Sequence, residues 1–209
     1  MRATSLTRAS LTRAARRLAS QDEDLAAILE KHGPPPLWAR APGFPTLLHI
    51  ILEQQVSLAS AKAVFDRVAA SLSPLTPAAV MAAGEHRLRG LGLTRQKAVY
   101  CMHAAGAIAD GSLSLPALSG LPDDQALAHL MRLKGIGPWS AEVYLLMAML
   151  RADIWPAGDL ALATAMMKVK RLRRRPLPDR LRKMAEPWRP FRSVAARMLW
   201  QSYIHGEKA

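Results

Sequence analysis

The chain has one cysteine, Cys101, among 209 residues. An intrachain disulfide, a multi-cysteine zinc site and a cysteine-ligated iron–sulfur cluster are therefore excluded. The six histidines are scattered, with no metal-ligand spacing. The longest apolar run, Val143 to Leu150, is far short of the ~20 residues that a membrane helix needs. No segment alternates β-branched and polar residues in the manner of a half-buried strand. Acids are scarce: 16 stand against 29 Lys and Arg, leaving a formal charge of +13. That surplus favours a polyanionic partner, although charge alone leaves a merely Arg-rich composition open.

Half of the residues are apolar, so the chain folds into a globular body and is not a basic tail. The first twenty residues are rich in Arg and Ser and resemble a transit peptide. Apolar residues at helical spacing from Thr7 to Leu18 instead predict a basic leading helix. A reducing cytoplasm is the expected compartment.

Helix signals fill the rest. Ser20-Gln21-Asp22-Glu23 reads as a capping box ahead of Leu25, Ile28 and Leu29. A Pro/Gly connector covers 34–45, and a helix is predicted over Thr46 to Gln55. Ser57 caps a helix to Leu72, a short helix spans Pro77 to Ala83, and Thr94 caps a long one to Ala109. Asp123 or Asp124 caps the next. Further helices are predicted near Pro138 to Arg151, Asp159 to Arg171, Pro178 to Ala185 and Phe191 to His205. The fold class is all-α.

Two stretches carry chemistry. Leu133-Lys134-Gly135-Ile136-Gly137-Pro138-Trp139-Ser140 reads as a glycine hairpin opening a helix. Gly135 and Gly137 let backbone approach a phosphate, the helix start offers free N–H groups and a positive dipole end, and Lys134 adds charge. Such a clamp touches backbone and ignores base sequence. Leu88-Arg89-Gly90-Leu91-Gly92 echoes it, either as a second clamp or as a plain helix–helix turn. Beyond one further helix, Gly158-Asp159 places a carboxylate at a helix start, where capping and catalysis are compatible.

The hairpin string resembles the helix–hairpin–helix DNA glycosylase superfamily, 3-methyladenine DNA glycosylase II (AlkA) type. The same resemblance extends over Ile51-Leu52-Glu53-Gln54-Gln55-Val56-Ser57, Gly92-Leu93-Thr94-Arg95-Gln96-Lys97-Ala98, Gly158-Asp159-Leu160-Ala161-Leu162 and Trp188-Arg189-Pro190-Phe191-Arg192-Ser193, ahead of Trp200. It covers about residues 20 to 205. It implies a compact form without a separate N-terminal β domain. One all-α domain would have two lobes flanking a DNA-binding cleft: 45–135 centrally, 1–44 with 136–209 terminally.

By the same resemblance Asp159 is the catalytic carboxylate, stabilising an oxocarbenium-like sugar or orienting water. Trp139 stands where relatives that also nick the strand carry a Schiff-base lysine, so a monofunctional, water-using enzyme is implied. Lys134, Gly135, Ile136, Gly137 and Ser140 would bind the DNA backbone, and Gln55 would wedge into the gap left by a flipped base. Trp139, Trp200, Val143 and Leu160 would line the base pocket, with Val143 and Leu160 standing where some relatives have tyrosines. Carbonyls of Met131, Leu133 and Ile136 are implied to hold a monovalent cation, sodium or potassium. The implied substrate is double-stranded DNA carrying alkylated purines, attacked by a monomer associated with a bacterial nucleoid. Glu53 reads as a packing or surface carboxylate.

Nine Lys or Arg residues lie from Lys168 to Lys183, and Arg189, Arg192 and Arg197 are candidates to extend that basic face. Two rival readings remain: a noncatalytic helix–hairpin–helix DNA-binding module, and a glycosylase for oxidised or deaminated bases.

Overall fold

The computed structural model describes residues 5–206. Among these it has eleven α-helices and no strand; the one β-type pairing is an isolated bridge between Ser5 and Arg151. No helix among the described residues is long and apolar enough to cross a membrane.

Two compact units emerge. The first runs through Arg40–Tyr144, and the second joins 5–39 to 145–206. The hairpin and most of the helix behind it thus fall within the first unit, beyond the boundary at 135 drawn from sequence.

The first unit begins with α3 (Phe44–Glu53), followed by α4 (Leu58–Ser71), α5 (Pro77–Gly90), α6 (Arg95–Ala109) and α7 (Asp123–Leu130). It includes the start of α8 (Pro138–Met147). α3 is its core helix: Leu47, Leu48, Ile50 and Ile51 are fully buried. It packs on α4 and α6, while α5 packs on α6. Ser57 and Thr94 cap α4 and α6 through their side-chain oxygens, as the sequence predicts.

Three expectations for this unit need correction. α3 ends at Glu53, so Gln54 and Gln55 lie outside it. The helix from Pro77 continues to Gly90 with a break at Gly84, whose φ of 68 interrupts the helical backbone. α7 starts after Pro122 without any side-chain cap, and Asp123 and Asp124 sit in its first turn, where the dipole still favours them.

The second unit holds α1 (Arg8–Ala19), α2 (Glu23–His32), α9 (Leu160–Val169), α10 (Pro178–Ala185) and α11 (Arg192–Gly206). α1 buries Leu11, Ala14, Ala15 and Leu18 along one face and leaves Arg13, Arg16 and Arg17 in solvent. α11 packs against α9, α2 and α1. The cap of α2 is Asp22, whose carboxylate accepts from the Asp24 and Leu25 amides, whereas Ser20 ends α1. Asp22 wins because its Oδ atoms also meet Lys170 Nζ at 2.8 Å and Trp188 Nε1 at 3.0 Å, a bonus that Ser20 has no means to collect.

Candidate active site

The hairpin joins α7 to α8. Gly135 has φ of 86, and a Cβ there would run into the ring of Tyr100, so position and conformation both demand glycine. Gly137 is different: its φ is not positive and a Cβ would meet nothing within 4 Å. The protein's own packing does not require glycine at 137. Lys134 is exposed beside it.

The echo at 88–92 has become a structural turn. Leu91, Gly92 and Leu93 all donate their amides back to carbonyls of the preceding turn. A Cβ on Gly92 would lie 2.6 Å from the Arg67 guanidinium, which also donates to the Leu91 carbonyl. The protein's own cation covers this turn.

Gln54 ties α3 to the hairpin. Its Nε2 donates to the Gly135 carbonyl at 2.8 Å and to Ser140 Oγ at 2.9 Å. Ser140 is only 2% exposed, and its hydroxyl belongs to this internal tie. Ile136 buries its side chain and donates its amide to Leu133, so its contribution to a surface clamp is confined to backbone. Gln55 next door is exposed and left-handed, with φ of 57. A non-glycine residue in that region stores strain, which is common where a side chain must project for function. Val56 and Leu58 beside it are 46% and 68% exposed, so the projecting loop also presents apolar atoms. Glu53 turns inward, held by both nitrogens of the Arg40 fork at 2.7 and 3.0 Å.

In the second unit Asp159 caps α9. Its Oδ1 accepts from the Leu162 amide at 2.7 Å and from the Trp200 indole Nε1 at 3.1 Å. Two donors on one oxygen fix the carboxylate's direction. Trp200, 8% exposed, therefore supports Asp159 from a largely buried position. Its ring meets Trp38 edge-on, with centroids 6.5 Å apart. Trp38 has a left-handed φ of 45 and follows Leu37, whose carbonyl accepts from Arg197. Leu160, 70% exposed, starts α9 directly after Asp159, whereas Val143 is buried in α8 and Trp139 is half-buried in that helix's first turn.

The basic face is smaller than the sequence predicts. Arg197 is fully buried and donates to the carbonyls of Leu37, Ser193 and Leu146. Burial lowers its pKa to about 10, still high enough to keep it charged at neutral pH. Arg189 and Arg192 are bound to Asp153 and Glu186. Lys170 is held by Asp22 and Asp24. Arg173, Arg174 and Arg175 remain exposed. Burial pushes the Cys101 thiol up to about 12, so it stays protonated and unreactive.

Residues 48–190 match the family described as HhH-GPD superfamily base excision DNA repair protein. The chain belongs to this family. It is 27% identical over 186 residues to a Bacillus subtilis protein, YfjP, provisionally named a DNA-3-methyladenine glycosylase; the match covers 85% of this chain and 65% of that one. It is 26% identical over 200 residues to the Schizosaccharomyces pombe DNA-3-methyladenine glycosylase 1, covering 92% and 88% of the two chains. The fold superposes on the S. pombe 3-methyladenine DNA glycosylase Mag1, solved with abasic DNA, at a TM-score of 0.80 with 24% identity, over 91% of this chain and 96% of that one. The chain thus has the helix–hairpin–helix glycosylase fold.

The residues that sequence reasoning missed are Trp38, Gln54 and Tyr100. A tryptophan inside the Pro-rich connector Pro34-Pro35-Pro36-Leu37-Trp38 was the available signal for the first. Gln54 stands inside the motif from Ile51 to Ser57, but its tie to Gly135 and Ser140, like the contact of Tyr100 with Gly135, joins residues far apart in the chain.

Proposed function

We propose that this family member is a monofunctional DNA glycosylase that releases alkylated purines of the 3-methyladenine and 7-methylguanine class by hydrolysis. The observation that carries the reading is Asp159, aimed by the Leu162 and Trp200 N–H groups. The relatives' names and the fold support it.

A flipped nucleotide leaves the stack at a cost of a few kcal/mol, least for a damaged base. An N-alkylated purine is already cationic, so the C1′–N bond breaks with its electron pair leaving on the base, which departs neutral. Positive charge then develops on the sugar. Asp159 stabilises that charge and orients water, whose oxygen bonds to C1′ while its proton passes to the carboxylate or solvent. Trp139 has no amine, so no Schiff base with the sugar forms there. Gly135, Gly137 and Lys134 hold the backbone of double-stranded DNA, Gln55 fills the vacated stack, and the protein acts as a monomer in the cytoplasm. Neutral oxygens suit a monovalent cation: the carbonyls of Met131, Leu133 and Ile136 would hold it, and the Leu133 carbonyl keeps a second lone pair beside the one accepting the Ile136 amide. Such an ion would add positive charge to the phosphate clamp.

The test is base release from methylated duplex DNA by wild type and Asp159→Asn, with borohydride trapping alongside. Release lost with binding retained, and no trapped adduct, supports the reading. Binding without release by the wild type identifies a noncatalytic module. A robust covalent adduct overturns the monofunctional assignment.

A further inference from the structure

The motif from Gly92 to Ala98 caps α6 through Thr94, and the side chains that follow the cap diverge. Lys97 turns inward and donates to the Leu52 carbonyl at 2.7 Å, closing the end of α3. Arg95 and Gln96 turn outward. With Val99, Tyr100 and Lys134 they line a pocket of about 380 Å³. Tyr100 joins this pocket to the hairpin, because its ring lies against Gly135. Its hydroxyl accepts from Gln96 Nε2 at 2.6 Å, which leaves the phenolic proton available for donation. The lining holds a guanidinium, an ammonium and a phenol, and no carboxylate. The start of α6 adds its positive dipole end. The acid nearest to Arg95 is Glu85, 3.7 Å from its Nε; both side chains are exposed, a pairing that contributes little and exchanges readily.

We infer that this pocket is a second phosphate site, taking the DNA phosphate adjacent to the one clamped by the hairpin on the same strand. Lys134 belongs to both the hairpin and the pocket lining. Successive phosphates on a strand rise by only about 3.4 Å along the helix axis, and Lys134 and Tyr100 set the pocket directly beside the hairpin, where the neighbour of a clamped phosphate would lie. Arg95 supplies the charge, and Tyr100, oriented by Gln96, supplies a directed donor. The site reads no base edge and lengthens the grip on one strand. It rests on the DNA-directed function proposed above, but it concerns binding and not base release.

The test measures binding of the full chain for wild type, Arg95→Ala and Glu85→Gln. On an undamaged duplex, Arg95→Ala should lower the slope of log Kd against log salt by roughly 0.9, the share of one phosphate contact. Glu85→Gln should tighten binding. On a duplex with one abasic site to fix the register, single neutral methylphosphonates should identify two adjacent sensitive phosphates in the wild type. One of them should become insensitive in Arg95→Ala. Identical salt slopes and identical phosphate maps in wild type and Arg95→Ala would overturn the inference. So would saturable binding of inorganic phosphate that disappears in Arg95→Ala while the DNA phosphate map stays unchanged, since the pocket would then be a free-anion site. Base release assayed in parallel separates the two claims. Release with unchanged maps sinks the second phosphate site alone, and a two-phosphate pattern without release sinks the activity alone.

Discussion

The indole N–H of Trp200 donates to Oδ1 of Asp159 at 3.1 Å, across 41 positions of sequence. The same oxygen accepts the Leu162 amide, so a helix cap and a buried tryptophan together set the direction of one carboxylate. Losing the indole donor should cost catalysis more than binding. A hydrogen bond to a charged group contributes about 1.5–3 kcal/mol, so Trp200→Phe should lower kcat roughly ten- to a hundred-fold. Single-turnover release from methylated DNA, with Kd measured separately, checks this. An unchanged kcat would remove Trp200 from the machinery.

Substitution can separate the cap that Asp159 provides to α9 from the catalytic role proposed for it. Asparagine also caps helices well, so Asp159→Asn should keep the melting temperature while base release falls by about 100-fold or more. Asp159→Ala should lose release and additionally about 1 kcal/mol of stability, as for other lost caps. Denaturant titration of both variants reads the difference; equal stabilities would mean that the cap at α9 contributes nothing.

The two hairpin glycines should respond in opposite ways. Gly135→Ala forces a Cβ toward the Tyr100 ring at a left-handed φ, and should destabilise the fold by about 1–3 kcal/mol. Gly137→Ala meets open space and should leave stability within about 0.5 kcal/mol. It should nevertheless weaken DNA binding roughly tenfold, the equivalent of one charge-assisted hydrogen bond. Thermal melts and fluorescence anisotropy, run on both variants, report the two effects independently. A Gly137→Ala protein that binds as the wild type does would place the phosphate elsewhere.

Asp22 predicts part of the acid response. Burial alone would raise its carboxyl, but hydrogen bonds from Lys170, Trp188 and the Leu25 amide outweigh burial and hold it below the ordinary 3.8. A folded-state value below the unfolded one means that the unfolded chain takes up the proton more readily. The stabilisation is therefore complete above pH 3.8 and is lost as pH falls through the folded value. Asp22→Asn keeps the cap of α2 but removes this dependence. Its stability should fall less steeply between neutral pH and pH 3 than that of the wild type, measured by urea unfolding at both. Parallel curves would assign the acid response to other groups.

Much of this protein was legible in the amino-acid order because much of its structure is local. The caps Ser57, Thr94 and Asp159 each act on an amide three residues ahead, and the all-helical class follows from apolar spacing within single helices. The hairpin was legible for the same reason, since adjacent residues set its backbone. The choice of Asp22 over Ser20 as a cap was not local: it depended on Lys170 and Trp188, 148 and 166 positions away. Arg197 read as surface charge because sequence supplies no sign that the carbonyls of Leu37 and Leu146 would surround it. The internal tie of Ser140 was not legible because its partner, Gln54, lies 86 residues away. Sequence alone thus determined the helices, the glycine hairpin and the position of the acid, all products of contacts within a turn or two. Tertiary structure decided which charges face solvent, which hydroxyl is internal and which tryptophan steers Asp159, because those depend on packing that brings distant residues within hydrogen-bonding distance.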